Sequence, residues 1–320
     1  MDTNTINGID VSNLSHAKKE IVIPVVPGRV VHIDGDFLAY MVAYDDNKSI
    51  EEMKHNCLVK ADKIQRMAGA EFRVLHLTHK DSDKGQRKDI ALLREYQEKR
   101  KKIKPKYLHL IRAYMKDELE GVYHMDKEAD DGMSIAQYAA ISAGNRNLSV
   151  IATKDKDLCM VPGLQLDWDT GSIDDTTDDF GYITLSRDKS QPKIRGRGWK
   201  MFWAQMLTGD SADNISGLPL CCNVDYLPRG KHKTCGPVLA FEILNPIKTN
   251  KEAFKVVKKL FYDYHNVADE KGNLIHPFKD YRDGRIISPG VAFISEAQLL
   301  WMRRHNDNRD VINWLMETAI

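Results

Sequence analysis

No run of about 18 apolar residues occurs anywhere in this 320-residue chain, so the sequence offers no membrane-spanning helix. The start, Met1 to Ser15, is polar and lacks the apolar core of a secretion signal. Cysteine is scarce. Five cysteines, an odd number with no paired spacing, argue against a disulfide scaffold and suit a reducing compartment. Neither charge sign prevails: 47 basic and 46 acidic residues leave a formal net charge of +1, so net charge alone points to no partner. These absences leave a soluble, cytoplasmic protein as the expectation. At 42% apolar composition, the chain is long enough for one large or two modest domains.

What is present is unevenly placed. The densest acidic stretch, Asp126-Lys127-Glu128-Ala129-Asp130-Asp131-Gly132, stands just before Met133, Ile135, Ala136, Ala139, Ala140 and Ala143, whose spacing predicts one buried helical face. Gly144-Asn145 is its stop signal. Acids in a first helical turn complement the helix dipole, and Asp126 is a candidate cap. The other reading is convergence with acids elsewhere.

Taken in order, residues 1 to 28 form a polar tail broken by Pro24 and Pro27. A β-branched run, Arg29 to Ile33, ends in Asp34-Gly35-Asp36; Asp34 falls where ligands bind in open parallel sheets, and Asp36 reads as a helix cap. A helix over Ile50 to Met67 leads to a second strand, Phe72 to Thr78, followed by Asp81 and Asp83. A third, Leu148 to Thr153, runs into Lys154-Asp155-Lys156-Asp157. Strands alternating with helices, each delivering acids at its carboxyl end, predict an α/β fold with a parallel sheet and one acidic edge.

Two further strand-like runs, Leu164 to Trp168 and Gly181 to Leu185, flank Asp174, Asp175, Asp178 and Asp179, an acidic loop read as an exposed turn. From about Gln191 the pattern turns to helix and loop, which sets the boundary between residues 29–190 and 191–320. A helix over Trp199 to Leu207 precedes Gly209-Asp210-Ser211-Ala212-Asp213-Asn214-Ile215, with its two acids three apart and so on one face if helical. Gly236 can bring backbone amides near a phosphate, and Pro237 opens a helix to Leu244.

Bases concentrate between Lys84 and Lys106, with Tyr96 and Tyr107 among them. Arg87, Arg94 and Lys101 recur every seven residues, and Tyr96 and Arg100 stand four apart, so some can share a helical face. A solvated charged helix is one reading. The other is a polyanion grip, in which bases hold phosphates and tyrosine stacks on a nucleobase.

Together Asp34-Gly35, Glu128-Ala129-Asp130-Asp131, Asp155/Asp157 and the segment from Gly209 to Ile215 resemble the flap endonuclease and 5′-exonuclease family, over roughly residues 30 to 245; in size the chain is similar to stand-alone bacteriophage enzymes. The resemblance implies a metal-dependent nuclease domain with a helical arch at about 84–118, and a helical region with a helix–three-turn–helix DNA grip at about 209–245. It matches Asp34, Asp81 (or Asp83), Glu128, Asp130, Asp131, Asp155, Asp157, Asp210 and Asp213 to the family's metal ligands. Arg87, Tyr96 and Arg100 match its arch residues. Gln97 replaces the family's usual lysine, leaving Lys88 or Lys84 to face phosphate. Lys84, Arg94, Lys99, Lys101, Gly217, Lys233 and Gly236 are the candidate DNA contacts. The implied substrate is DNA with 5′ ends or flaps, with RNA in RNA–DNA hybrids left open, in replication or degradation. Replication proteins are conceivable partners; a monomer, in the host cytoplasm if the chain is viral, is expected.

Residue chemistry supports this separately. So many carboxylates in one cleft would raise each other's pKa unless cations neutralised them, and hard oxygen ligands select Mg²⁺ or Mn²⁺; that there are two such ions is what the resemblance implies. Cys221, Cys222, His232 and Cys235 supply enough soft ligands for a structural Zn²⁺, against ordinary thiols as the alternative. Two rivals remain. A haloacid-dehalogenase-type phosphatase would use Asp34 as nucleophile and Asp36 as acid, but gives the basic segment no role. A noncatalytic DNA-binding module has no use for the acids.

Overall fold

The computed structural model describes residues 5–6, 9–10, 23–98, 104–186, 191–222, 233–307 and 309–320. A short antiparallel pair (β1, Thr5–Ile6; β2, Ile9–Asp10) precedes β3 (Val26–Asp34). Val31 and Ile33 of β3 are fully buried. Helix α1 (Gly35–Ala43) follows, then α2 (Ile50–Met67), whose start is fixed by a capping box between Ser49 and Glu52. One stripe of α2, Met53, Cys57, Ala61 and Ile64, is buried, so Ile64→Ala would cost about 2–5 kcal/mol. Strand β4 (Ala70–Thr78) leads through the four-residue α3 (Arg87–Ile90) to α4 (Leu108–Asp117), β5 (Val122–His124) and α5 (Ala129–Ser142).

Beyond α5 come β6 (Ser149–Ala152), β7 (Gly163–Leu166) and β8 (Ile173–Thr176). The main sheet runs β5-β4-β3-β6-β7-β8. All neighbours are parallel except β8, which pairs antiparallel to β7 at the edge. With β3 between β4 and β6, Asp34 sits at the carboxyl end of the inner strands. A separate antiparallel pair, β9 (Tyr182–Ser186) and β10 (Lys193–Arg197), precedes α6 (Trp199–Thr208). The pair β11 (Leu220–Cys221) and β12 (Lys233–Thr234) leads to α7 (Pro237–Leu244), α8 (Asn250–His265), α9 (Pro289–Leu300) and α10 (Asp310–Ala319).

Two apolar cores result. One packs α1, α2 and α4 on the sheet around Leu38, Ile64, Leu75, Leu77 and Ile111. The other joins α5 and β6 to the C-terminal helices around Phe202, Trp203, Trp301 and Trp314, with the last two ring centroids 4.2 Å apart.

Several expectations need correction. Asp174 and Asp175 lie in edge strand β8, not in a turn. Arg195 to Arg197 belong to β10, where helix and loop were expected. Val26 to Gly28, assigned to the tail, begin β3, with a register shift that Gly28 at φ +76° permits. The basic segment is not one helix: α3 ends at Ile90, and residues 91–98 are coil, bends and turns, so Arg87 and Arg94 share no helical face.

A candidate metal centre at the carboxyl edge of the sheet

The first acid is fixed by its own helix. Asp34 caps α1 by accepting from the Phe37 amide at 2.8 Å, the role expected of Asp36. Its other oxygen accepts from the Thr153 hydroxyl at 2.9 Å. Thr153 follows β6, whose Ala152 is paired with Ile33, so two adjacent strand ends meet here. The Asp155 amide donates to the same Thr153 oxygen at 2.9 Å, and Asp155 Oδ1 accepts from the Asp157 amide at 2.9 Å. One threonine thereby sets two acids and indirectly a third.

Helix α5 enters from the other side. Its N-cap is Glu128, in a capping box with Asp131, rather than Asp126. The Ala129 amide donates to Thr78 Oγ1 at 2.9 Å, tying the helix start to the end of β4. Burial, helped by Asp36 and Asp155, pushes the Asp34 carboxyl from 3.8 to about 7. Asp130 is driven well above its ordinary value by burial and then by Asp34, Asp155 and Glu128.

A second group lies beside the first. Asp157, Asp210 and Asp213 each present a carboxylate oxygen, all within 4.8 Å of one another. Asp210 and Asp213 stand on a tight turn, not the helix allowed for in the sequence: the Asp210 amide donates to Ile215 O at 3.0 Å and the Ile215 amide to Asp210 O at 2.7 Å. Gly209 has φ +68°, and a Cβ there would stand 2.4 Å from Ile215 O. Gln205 of α6 donates to Asp157. Burial, Asp155 and Asp210 hold Asp157 well above the usual carboxylate range. Asp210 lies below it: burial opposes this, but Lys156, 2.9 Å from Asp210 Oδ1, together with the Ala212 amide at 2.8 Å and Asp157, outweighs burial.

Tyr96 joins the groups. It is buried, and its hydroxyl lies 2.9 Å from Glu128 Oε2 and 3.0 Å from Asp213 Oδ2. Gln97 donates through its side chain to Glu128 Oε1 at 3.2 Å and through its amide to Asp213 O at 2.8 Å. Lys84 lies 3.6 Å from Glu128 Oε1 and remains partly exposed, while Lys88 is exposed.

Other candidates sit elsewhere. Asp131 is fully buried and takes both guanidinium nitrogens of Arg87, at 2.7 and 2.9 Å, with the Arg303 amide at 3.3 Å. Burial alone would raise its pKa, yet Arg87 holds it below the usual range. Arg87 also donates to Leu299 O and Trp301 O, at 3.4 and 3.2 Å. The pair is thus a structural clamp, and Arg87 Nη1 also donates to Glu128 Oε2 at 3.3 Å, so the guanidinium borders the acids while both Asp131 oxygens are taken up by the clamp. Asp81 is 67% exposed beside His79, and Asp83 caps the turn at Gly85. The acid beside them that does raise both Asp34 and Asp130 is Asp36, held by the Thr78 amide at 3.0 Å and by Arg112.

Arg94 is exposed and lines an open hollow with Glu95, Glu98, Asn214 and Tyr281. Gly217 is buried, and its amide donates to Glu296 Oε2 at 2.7 Å, so it faces the protein interior. Lys233 is exposed on β12, and Gly236 caps α7 with open space around it. Lys99, Arg100, Lys101 and His232 fall outside the described residues. Cys221 and Cys235 are buried and Cys222 half-buried; burial pushes the Cys235 thiol to about 12 and Cys222 to about 11. Among the described residues these thiols form no metal-ligating group.

Sequence reasoning missed Thr153, Asp36, Gln205 and Glu296 as supports of the site. Thr153 alone carried a signal, because it ends a strand two residues before Asp155.

Fold and site define an α/β protein whose parallel sheet and adjoining turn gather hard oxygen donors into two neighbouring groups. No family model and no curated protein matches the sequence. Among solved structures the chain is similar to bacteriophage T5 5′-exonuclease with bound divalent zinc, at 13% identity and TM-score 0.49, covering 91% of this chain and 97% of that one. It is also similar to a T5 flap endonuclease variant in complex with DNA and metal ions, at 12% identity and TM-score 0.48, covering 91% and 92%. At such identities the likeness is one of fold.

Proposed function

We propose that this chain is a divalent-metal-dependent 5′-3′ exonuclease or flap endonuclease acting on DNA with 5′ ends or flaps. One observation carries the reading: Asp34, Asp130 and Asp155, with Asp157, Asp210 and Asp213, converge from strand ends, a helix start and a separate turn. The donors fit hard cations, since they are carboxylates without cysteine or histidine among them, and burial leaves several with raised pKa values that a cation would relieve. Two Mg²⁺ or Mn²⁺ ions bound there would supply Lewis acidity to the phosphate and a water of lowered pKa.

The chain's own residues prepare this. Thr153 fixes Asp34 and Asp155; Tyr96 and Gln97 hold Glu128 and Asp213 in register; Lys84, partly exposed beside Glu128, is the cation best placed to meet a phosphate. No side chain is required as nucleophile. The phosphatase reading loses its acid, because Asp36 is engaged with Thr78 and Arg112. Action on RNA–DNA hybrids, a role in replication, a bacteriophage source and a cytoplasmic monomer belong to the same proposal, as does the division into residues 29–190 and 191–320.

The test is a panel of 5′-labelled blunt, nicked, flapped and RNA-primed duplexes with Mg²⁺. Nucleotides or short fragments should be released from 5′ ends, Asp155→Asn and Asp210→Asn should abolish release, and both variants should still bind DNA. Hydrolysis of small phosphomonoesters without attack on DNA would favour the phosphatase; tight binding without cleavage would favour a noncatalytic module.

A further inference from the structure

Lys156 stands between two of the acids, and its ammonium points back into the second carboxylate group. Nζ lies 2.9 Å from Asp210 Oδ1, on a side chain only 1% exposed, whereas the lysine side chain itself is 54% exposed. The cation is therefore anchored at its tip while much of its stem is in solvent. It can leave without unpacking any core. One monovalent charge faces Asp157, Asp210 and Asp213, whose ligand oxygens lie within 4.8 Å of one another. Buried acids without a counter-charge are costly, and this ammonium supplies part of what the group needs.

We propose that Lys156 is a built-in counter-cation of the Asp157–Asp210–Asp213 group, that a divalent ion enters this group only by displacing it, and that Lys156 thereby sets the weaker of two cation affinities. The inference rests on the metal-dependent reading above and adds an order of filling to it. The hydrogen bonds that hold Asp34 come from the Phe37 amide and the Thr153 hydroxyl, neither of them cationic, and Lys156, although it also feels the charge of Asp155, is seated on Asp210. A divalent ion arriving at the first group has no resident ammonium to expel from Asp34. At the second it must break the Lys156–Asp210 pair, a penalty of about tenfold in affinity, or roughly 1.4 kcal/mol.

The experiment is calorimetric titration of Mn²⁺ into the full chain without DNA. The wild type should show two classes of site, with Asp213→Asn removing the weaker one. In Lys156→Gln the weaker class should tighten about tenfold while the tighter class moves much less, and Lys156→Arg should keep it weak. Because the side chain is half in solvent, Lys156→Met serves as a second neutral variant and should behave like Lys156→Gln. Two classes whose weaker affinity is unchanged or reduced in both neutral variants would overturn the counter-cation role and leave the metal reading standing. No Mn²⁺ binding by the wild type would overturn both.

Discussion

Glu296 and Arg87 illustrate how charges outside the two acidic groups support them, the first through Gly217 and the second through Asp131 and Glu128. Glu296 of α9 is buried, and burial pushes its carboxyl from 4.5 to about 7 although the Gly217 and Ser216 amides and Arg94 oppose the shift. Between these two values the folded state binds more protons than the unfolded one, so this residue's contribution to stability falls as pH rises through that window. Glu296→Gln should therefore be nearly neutral at pH 5 and stabilising at pH 8, by at most roughly 3 kcal/mol. Urea unfolding at both pH values measures this, and equal effects at both would remove the ionisation argument. Arg87→Met leaves Asp131 buried and unpaired, which should cost about 3–5 kcal/mol in the same assay; adding Asp131→Asn should recover part of the loss. The acids of the centre were legible because each sits at a motif boundary, but their partners were not. Glu296 meets Gly217 across 79 residues of sequence, and nothing local announces that bond. Asp81 misled for a physical reason. The His79 amide donates to His124 O at 2.9 Å, which prolongs the β4–β5 pairing and carries the following acids to the surface.

The turn from Gly209 to Gly217 determines whether the second group of acids forms. Gly209→Ala would place Cβ 2.4 Å from Ile215 O and 2.5 Å from Ser216 O, both backbone atoms, at φ +68°. Nothing flexible can yield. The substitution should destabilise the fold by about 1–3 kcal/mol and weaken Mn²⁺ binding at the Asp210 side more than at the Asp34 side, readable by titration. Among the elements, α2, α6 and β4 were expected close to where they stand, and β3 was legible from its β-branched run. Edge strand β8 was not, since its sequence, Ile-Asp-Asp-Thr, shows no alternation and its ladder partner β7 lies on one side only. The seven-residue recurrence of Arg87, Arg94 and Lys101 suggested a helix that the chain does not form over 91–98. Tyr96 has to turn inward to reach Glu128 and Asp213, and Gln97 adopts φ +59°.

At the scale of the molecule, acids from β3, α5, the segment after β6 and the turn after α6 meet at one edge of the sheet, and the Arg87–Asp131 clamp ties that edge to the C-terminal helices. Gathering them is costly without cations, so Mg²⁺ or Mn²⁺ should raise the melting temperature of the intact chain. At a hundredfold excess over Kd the gain is about 2.7 kcal/mol, or several degrees. Asp34→Asn with Asp210→Asn should abolish that rise. The α/β class and acidic edge were readable from alternating strands and helices; the antiparallel β9–β10 pair was not, because β10 carries the charged, glycine-containing sequence Lys-Ile-Arg-Gly-Arg.

The most direct measurement is anomalous diffraction from crystals soaked in Mn²⁺. Two peaks are expected, one among the carboxylates of Asp34, Asp130 and Asp155 and one among those of Asp157, Asp210 and Asp213. Well-diffracting soaked crystals with no peak at ligand distance from either group would contradict the metal centre on which the proposed activity depends.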